Sequence, residues 1–313
     1  MRAWLAGFGV VIGLGVATPA QAQAPVTIVV NFGPGAANDV AARLIAAEWT
    51  TSLGQSFIVK NTTGASGTIG ALEVVRARPD GQTLLLSTVG PIAIQPSFMR
   101  AAGYATRDLV PICQVTDAAL VIQTPPASGL RTLADIAARA RDANGAMPYA
   151  SSGPGTLTHL AMVGWLRATG LSMTHVPYRS PGDVMLAFAQ GSVNVFADQP
   201  AAIRPNNLNA VAVFAPQRQP EFPETPTLRE LGHALDFSIW QGFFAPVGTP
   251  PAVLARFEAA CAEVLRVPAV RQGLERIQTP ILHRNARDFA TLVASDSARF
   301  ARMIEEGGLR QVE

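Results

Sequence analysis

Lysine is almost absent from this 313-residue chain: Lys60 is the only one, and every other basic side chain is Arg. Charged residues make up 15% of the chain, well under the quarter or so of an ordinary globular domain. The 24 Lys+Arg against 22 Asp+Glu give a net charge of +2, and no basic cluster is present to track phosphates. Nucleic acid is therefore not an expected partner. A hydrophobic fraction of 49% excludes a disordered chain. Histidine is also scarce. His159, His175, His233 and His283 stand far apart with no paired spacing on a helix face, so no metal centre is expected. Only two cysteines occur, too few for a disulfide scaffold. Cys261 falls on a helical stripe with Phe257, Val264 and Leu265, which suits a buried thiol, and a bridge to Cys113 is equally compatible.

The longest apolar run lies at the start. Arg2, then Leu5 to Val16, then Ala20-Gln21-Ala22 have the order of a secretory signal: basic region, short apolar region, small-x-small cleavage site. The run is shorter than the roughly 18–20 residues of a bilayer span, and no later segment is long enough. Residues 1–22 are read as a cleaved signal peptide, with the mature chain starting near Gln23. The expectation is an exported protein that is not embedded in a membrane.

The rest of the chain alternates short β-branched runs with amphipathic stretches, the pattern of an α/β fold with parallel strands. One arrangement occurs twice. Val26 to Val30 runs into Phe32-Gly33-Pro34-Gly35-Ala36-Ala37-Asn38-Asp39, a helix carrying Val40, Leu44 and Trp49, and a second strand at Phe57 to Val59. Later, Tyr149-Ala150 runs into Ser151-Ser152-Gly153-Pro154-Gly155-Thr156, a helix with Leu157, Leu160 and Trp165, and a strand at Thr174 to Val176. Two copies so far apart in the chain predict one unit in each of two lobes. Near the C-terminus, Thr249-Pro250-Pro251 opens a helix over 252–266 with Thr249 as its cap. Two more helices come after it, the last beginning after Asn285.

The two Gly-Pro-Gly loops point to an anion. A strand that turns into a helix leaves the first-turn N–H groups unpaired, and the positive helix end favours a carboxylate or phosphate. Asn38 and Thr156 are expected N-caps, with Ser151 and Ser152 as further donors. Glycine and proline also punctuate many βα turns that bind nothing.

Enzyme patterns fit poorly. The first loop lacks the third glycine of a dinucleotide fingerprint, and Lys60-Asn61 stands where an acidic ribose ligand belongs, so no cofactor is expected. Ser151, His159 and Asp198 have the residue types of a hydrolase triad, but no Gly-x-Ser-x-Gly elbow exists and their order is not that of the α/β-hydrolases.

An ordered set of segments carries a family resemblance: Val30 to Asp39; Asn61 to Gly70 (NTTGASGTIG); Pro79 to Leu85; Tyr149 to His159 (YASSGPGTLTH); His175 to Arg179 (HVPYR); Pro223 to Gly232 (PETPTLRELG); and Trp240 to Pro250 (WQGFFAPVGTP). From about Pro25 to its C-terminus the chain resembles the extracytoplasmic solute receptors of tripartite tricarboxylate transporters, the Bug receptors. The resemblance implies a two-lobed α/β periplasmic binding protein, type II-like, with a central helix-flanked sheet in each lobe and a ligand cleft between them. It also implies a monomer without catalysis, holding a small carboxylate for transient delivery to a membrane transporter. A ligand-presenting receptor for a signalling partner is the alternative. Residues 25–121 plus 241–313 would form lobe one and 122–240 lobe two. The implied ligand-binding residues are Phe32, Gly35, Ala36, Asn38 and Asp39 in the first loop, and Ser87 and Thr88 at a strand end. In the second lobe they are Ser151, Gly153, Thr156, His159, Tyr178 and Asp198. The chain departs from the family pattern at Asn31 and Gly33, where proline is usual, and at Ala36-Ala37, where Gly-Gly is usual. The added Cβ atoms predict a narrower or reshaped pocket floor.

Overall fold

The computed structural model describes residues 24–311; the expected signal sequence lies outside the described residues. Strand β1 (Val26–Val30) leads through the first Gly-Pro-Gly loop into helix α1 (Ala37–Leu53), and β2 (Phe57–Asn61) returns parallel to β1 with Val26 beside Phe57. Gly54, left-handed at φ 63°, stops α1. Ala41, Ile45 and Trp49 form the helix's buried stripe. Then come α2 (Thr68–Val75), β3 (Thr83–Thr88), the short α3 (Gln95–Phe98) and the long β4 (Leu109–Ala119).

The chain then enters a second sheet through β5 (Val121–Thr124), α4 (Leu133–Asp142), β6 (Pro148–Ser151) and α5 (Leu157–Thr169). It continues with β7 (Thr174–Pro177), α6 (Pro181–Ala189), β8 (Phe196–Asp198) and β9 (Asn209–Val213). It returns in β10 (Ser238–Pro246), followed by α7 (Pro251–Val264), α8 (Pro268–Arg276), β11 (Ile281–Arg284) and α9 (Ala286–Gly307). The six-stranded sheet has the order β11-β4-β10-β3-β1-β2, and the five-stranded sheet β7-β6-β8-β5-β9. This is a two-lobed α/β fold. The repeated unit is real: β6 and β7 pair in parallel around α5 as β1 and β2 do around α1.

Backbone hydrogen bonds tie the crossing segments together. Leu120 N–H donates to Phe237 O at 2.9 Å, Phe214 N–H to Leu120 O at 2.8 Å, and Phe237 N–H to Phe214 O at 3.0 Å. The expected division at 121/122 and 240/241 falls inside β5 and β10.

One core packs Trp49, Phe243 and Phe257 beneath α1 and α7. A second is continuous across the lobes, joining Phe98, Trp165, Phe237, Trp240 and Phe300. The cysteines, left open by the sequence, form a disulfide from β4 to α7 in the first core, with Cα atoms 6.5 Å apart and 148 residues of separation. Both cysteines are fully buried. Two expected caps differ. Ala36, not Asn38, is the N-cap of α1, because Asn38 has already entered the helix. Pro250 caps α7, while Thr249 Oγ1 donates to Pro246 O at 2.8 Å.

Candidate functional site

The first loop is organised by Asp39. One carboxylate oxygen accepts Gly35 N–H at 2.9 Å and Arg43 Nε at 3.1 Å, and the other accepts Asn61 Nδ2 at 2.8 Å and lies 3.0 Å from an Arg43 terminal nitrogen. Asn61 Nδ2 also donates to Phe32 O at 3.0 Å. Burial raises the Asp39 carboxyl, but hydrogen bonds from Arg43, Gly35 and Asn61 outweigh it and hold the group below its ordinary value. The family resemblance places Asp39 against a ligand, and its oxygens also brace the loop. The first turn of α1 is different. Ala36 has no side chain able to cap it, so its N–H donors stay available to an anion. Asn38 is buried there, and its Nδ2 donor has no partner.

The alanines impose no backbone strain on this loop. Gly35, at φ 84°, is the loop's left-handed residue, whereas Ala36 sits at φ −64° in extended backbone that alanine adopts freely.

The end of β3 adjoins this loop. Ser87 Oγ accepts Asn31 Nδ2 at 2.8 Å, and the same amide donates to Gly67 O at 3.3 Å. The Ser87 hydroxyl proton is thereby free to be donated elsewhere. Half-buried Thr88 pairs in register with Gln241 of β10. Proline at position 31 could make neither side-chain bond, so asparagine ties β1, β3 and the Gly64–Gly67 turn together. That turn holds four consecutive residues with positive φ, including Ala65 at φ 46° and Ser66 at φ 55°. Thr68 Oγ1, donating to Ala65 O at 2.6 Å, helps to hold it.

In the second loop Thr156 is the N-cap of α5, as expected. Its hydroxyl donates to Gly153 O at 2.7 Å and accepts His159 N–H at 3.4 Å. Ser152 N–H donates to Thr158 Oγ1 at 2.9 Å. Ser151 is fully buried; its Oγ accepts Gly153 N–H at 3.1 Å and lies 2.6 Å from His175 Nε2. His159 Nδ1 accepts Gly155 N–H at 3.3 Å, and its ring stacks on His175 with centroids 4.0 Å apart. The hydrolase grouping is thus not assembled: the partner of Ser151 is His175, and among the described residues Asp198 makes no ion pair with either imidazole. Asp198, at the end of β8, is buried, and burial pushes its carboxyl up to about 7. Tyr178 is half-buried, and its N–H donates to Ser151 O at 2.9 Å.

The two loops meet through the segment that leaves β3. Gln95 Nε2 on α3 donates to Gly155 O at 3.1 Å. A Cβ on Gly155 would stand 2.4 Å from the Phe98 ring. The sequence reading marks Asn31 as a departure from the family pattern, but it names none of Asn31, Asn61, Gln95 and His175 as a ligand-binding residue. A separate cavity of about 540 Å³ lies on the crossover side, beside Phe237 and Pro280. Its cations are engaged: Arg284 with Asp117 at 3.4 Å and Arg299 with Asp296 at 2.8 Å. Among the described residues no cluster of three metal-ligating side chains occurs, and no helix is long and apolar enough to cross a membrane.

Residues 41–309 match the model of the tripartite tricarboxylate transporter family receptor. The chain is 32% identical over 326 residues to protein BugT of Bordetella pertussis, covering 99% of both chains. Its fold matches that of the periplasmic binding protein BugD with a TM-score of 0.78 at 26% identity, covering 92% of this chain and 99% of that one. MatC from Rhodopseudomonas palustris, with malate bound, matches with a TM-score of 0.77 at 28% identity, over 90% and 98% of the two chains. The chain therefore belongs to the tripartite tricarboxylate transporter receptor family of periplasmic solute-binding proteins.

Proposed function

We propose that this protein is an exported receptor that captures a small carboxylate between its first and second loops and delivers it to a membrane transporter. One observation carries the reading. The N-terminus of α1 has no side-chain cap and holds the buried, unpartnered Asn38 Nδ2. A carboxylate supplies acceptors for such donors and neutralises the positive helix end. The Ser87 and Thr88 strand end and the Ser151–Thr156 loop complete the recognition surface from the other sides. Phe32, Gly35 and Ala36 shape its floor, with Tyr178 and Asp198 at its second-lobe margin. The malate bound by MatC supports a small organic acid as the ligand.

Capture is by closure. Donors in both lobes engage one ligand fully only when the lobes meet, so ligand shifts the population toward the closed form. The three crossing segments joined at Leu120, Phe214 and Phe237 are the natural bending point.

Thermal unfolding of the protein lacking residues 1–22, against mono-, di- and tricarboxylates, tests the reading. A ligand at one hundred times its Kd adds about 2.7 kcal/mol to stability, which raises the midpoint by several degrees. A shift with a carboxylate supports the receptor reading. No shift across the panel, with uncharged solutes raising the midpoint instead, overturns it.

A further inference from the structure

The second loop hangs on His159 and His175. His159 Nδ1 takes the Gly155 amide proton, and Gly155 O takes the Gln95 amide from the first lobe. Gly155 is therefore held at both its N–H and its C=O. His175 stacks between Tyr149 and His159, with ring centroids 5.2 Å and 4.0 Å away, and its Nε2 meets the Ser151 hydroxyl that receives Gly153 N–H. From the stacked pair, contacts run to Ser151, Gly153 and Gly155, so half of the Ser151–Thr156 loop depends on it.

We infer that His159 is a positioning residue, not a ligand contact: its unprotonated Nδ1, backed by the neutral ring of His175, fixes Gly155 and with it the second loop. A proton on Nδ1 would face the Gly155 N–H donor to donor and break that bond. It would also place a cation against a stacked imidazole near the positive end of α5. His175 differs, because a protonated Nε2 can donate to Ser151 Oγ and keep its contact.

The surroundings reinforce the neutral state. Burial lowers both imidazoles, His159 to about 4 with His175 as the second cause. From β6 the pair meets Tyr149, whose phenol burial pushes up to about 12, and the uncharged Ser151. From α3 the loop meets the uncharged Gln95 and Phe98. Asp198 follows Phe196, which pairs with Ala150, and so belongs to the face of the second sheet opposite Tyr149 and His175. No ion pair involves either histidine among the described residues.

The inference rests on the second loop being part of the carboxylate site, but it is read without ligand, so the two readings fail separately. Amide hydrogen exchange of ligand-free protein is followed by NMR between pH 6 and pH 4, as protection relative to the intrinsic rate. Ile28 in β1 serves as the control. For a group with a pKa near 4, the protonated fraction rises from about 1% to about half over this range. Gly155 protection in the wild type is expected to fall at least tenfold while Ile28 stays protected. In His159→Asn, whose Oδ1 replaces Nδ1 as an acceptor without titrating, Gly155 should stay protected at both pH values. In His159→Phe, which keeps a stacked ring without an acceptor, it should be unprotected at both. Retained protection in His159→Phe overturns the inference. So does the same fall in His159→Asn as in the wild type, or no fall in the wild type.

Discussion

Removing the Cys113–Cys261 disulfide is the most quantitative perturbation available. The bridge joins β4 to α7, and the 148-residue separation it closes contains the whole five-stranded sheet and all three crossing segments. Without it, the unfolded chain regains the freedom of a very long loop. The chain-entropy relation gives about 5 kcal/mol for a closure of this length, and losses on removing native disulfides run from about 2 to 5 kcal/mol. A Cys113→Ala/Cys261→Ala variant should lose an amount in that range, since both residues are fully buried and alanine keeps the site apolar. At about 2–4 °C per kcal/mol the midpoint falls by roughly 4–20 °C. Circular dichroism melts of variant and wild type, in oxidising buffer, read this directly. The bridge lies in the first core with Leu84 and Leu86, whereas Ser87 alternates to the other face of β3, so carboxylate affinity should stay within about twofold well below the melt. A midpoint within about 1 °C of the wild type would refute the reasoning, because it would mean that the first lobe is held across the insertion without the bridge.

Asp39→Asn should act through the loop. Losing the Arg43 ion pair and weakening the Gly35 contact should cost about 1–3 kcal/mol in a urea titration and weaken carboxylate binding about tenfold by calorimetry. Because the folded carboxyl is held below its ordinary value, its stabilisation is present above the unfolded pKa and is lost as pH falls through the folded one. The variant's acid limb should be flatter. His159 has the opposite chemistry but the same direction: the fold keeps it neutral, with a pKa near 4. Its penalty begins as pH drops below about 6.5 and levels off below 4, reaching about 3 kcal/mol; denaturant titrations from pH 7 to 4 on wild type and His159→Asn measure it by difference. Gly155→Ala combines a residue at φ 68° with a Cβ 2.4 Å from Phe98, and should lower stability by about 2 kcal/mol or more in the same assay.

The repeated strand–loop–helix–strand unit is legible in the sequence because each copy carries its own local signals: a β-branched strand, Gly-Pro-Gly, then helical spacing to Trp49 or Trp165. Both units pair in parallel as that pattern requires. Thr156 is legible as a cap because its hydroxyl acts on the residues just after it. Asn38 misleads through a local rule: a good cap residue two positions inside the helix gives way to extended Ala36. Asn31, Asn61 and Gln95 act over separations of 56, 22 and 60 residues, and no local pattern carries that information. His175 is closer to hand, since parallel pairing of β6 with β7 sets it beside Tyr149. Side-chain reach from that register, more than residue type, identifies the partner of Ser151. The disulfide needs the folded distance between β4 and α7, which spacing alone does not supply.

A crystal structure of the mature protein with the panel acid that gives the largest thermal shift tests the central claim most directly. The expected result is a ligand carboxylate within hydrogen-bond distance of the first-turn N–H groups of α1 and of Asn38 Nδ2, with the Ser151–Thr156 loop closed over it. A ligand seated instead in the cavity beside Arg284 and Arg299, with Asn38 Nδ2 still unpartnered, would contradict it.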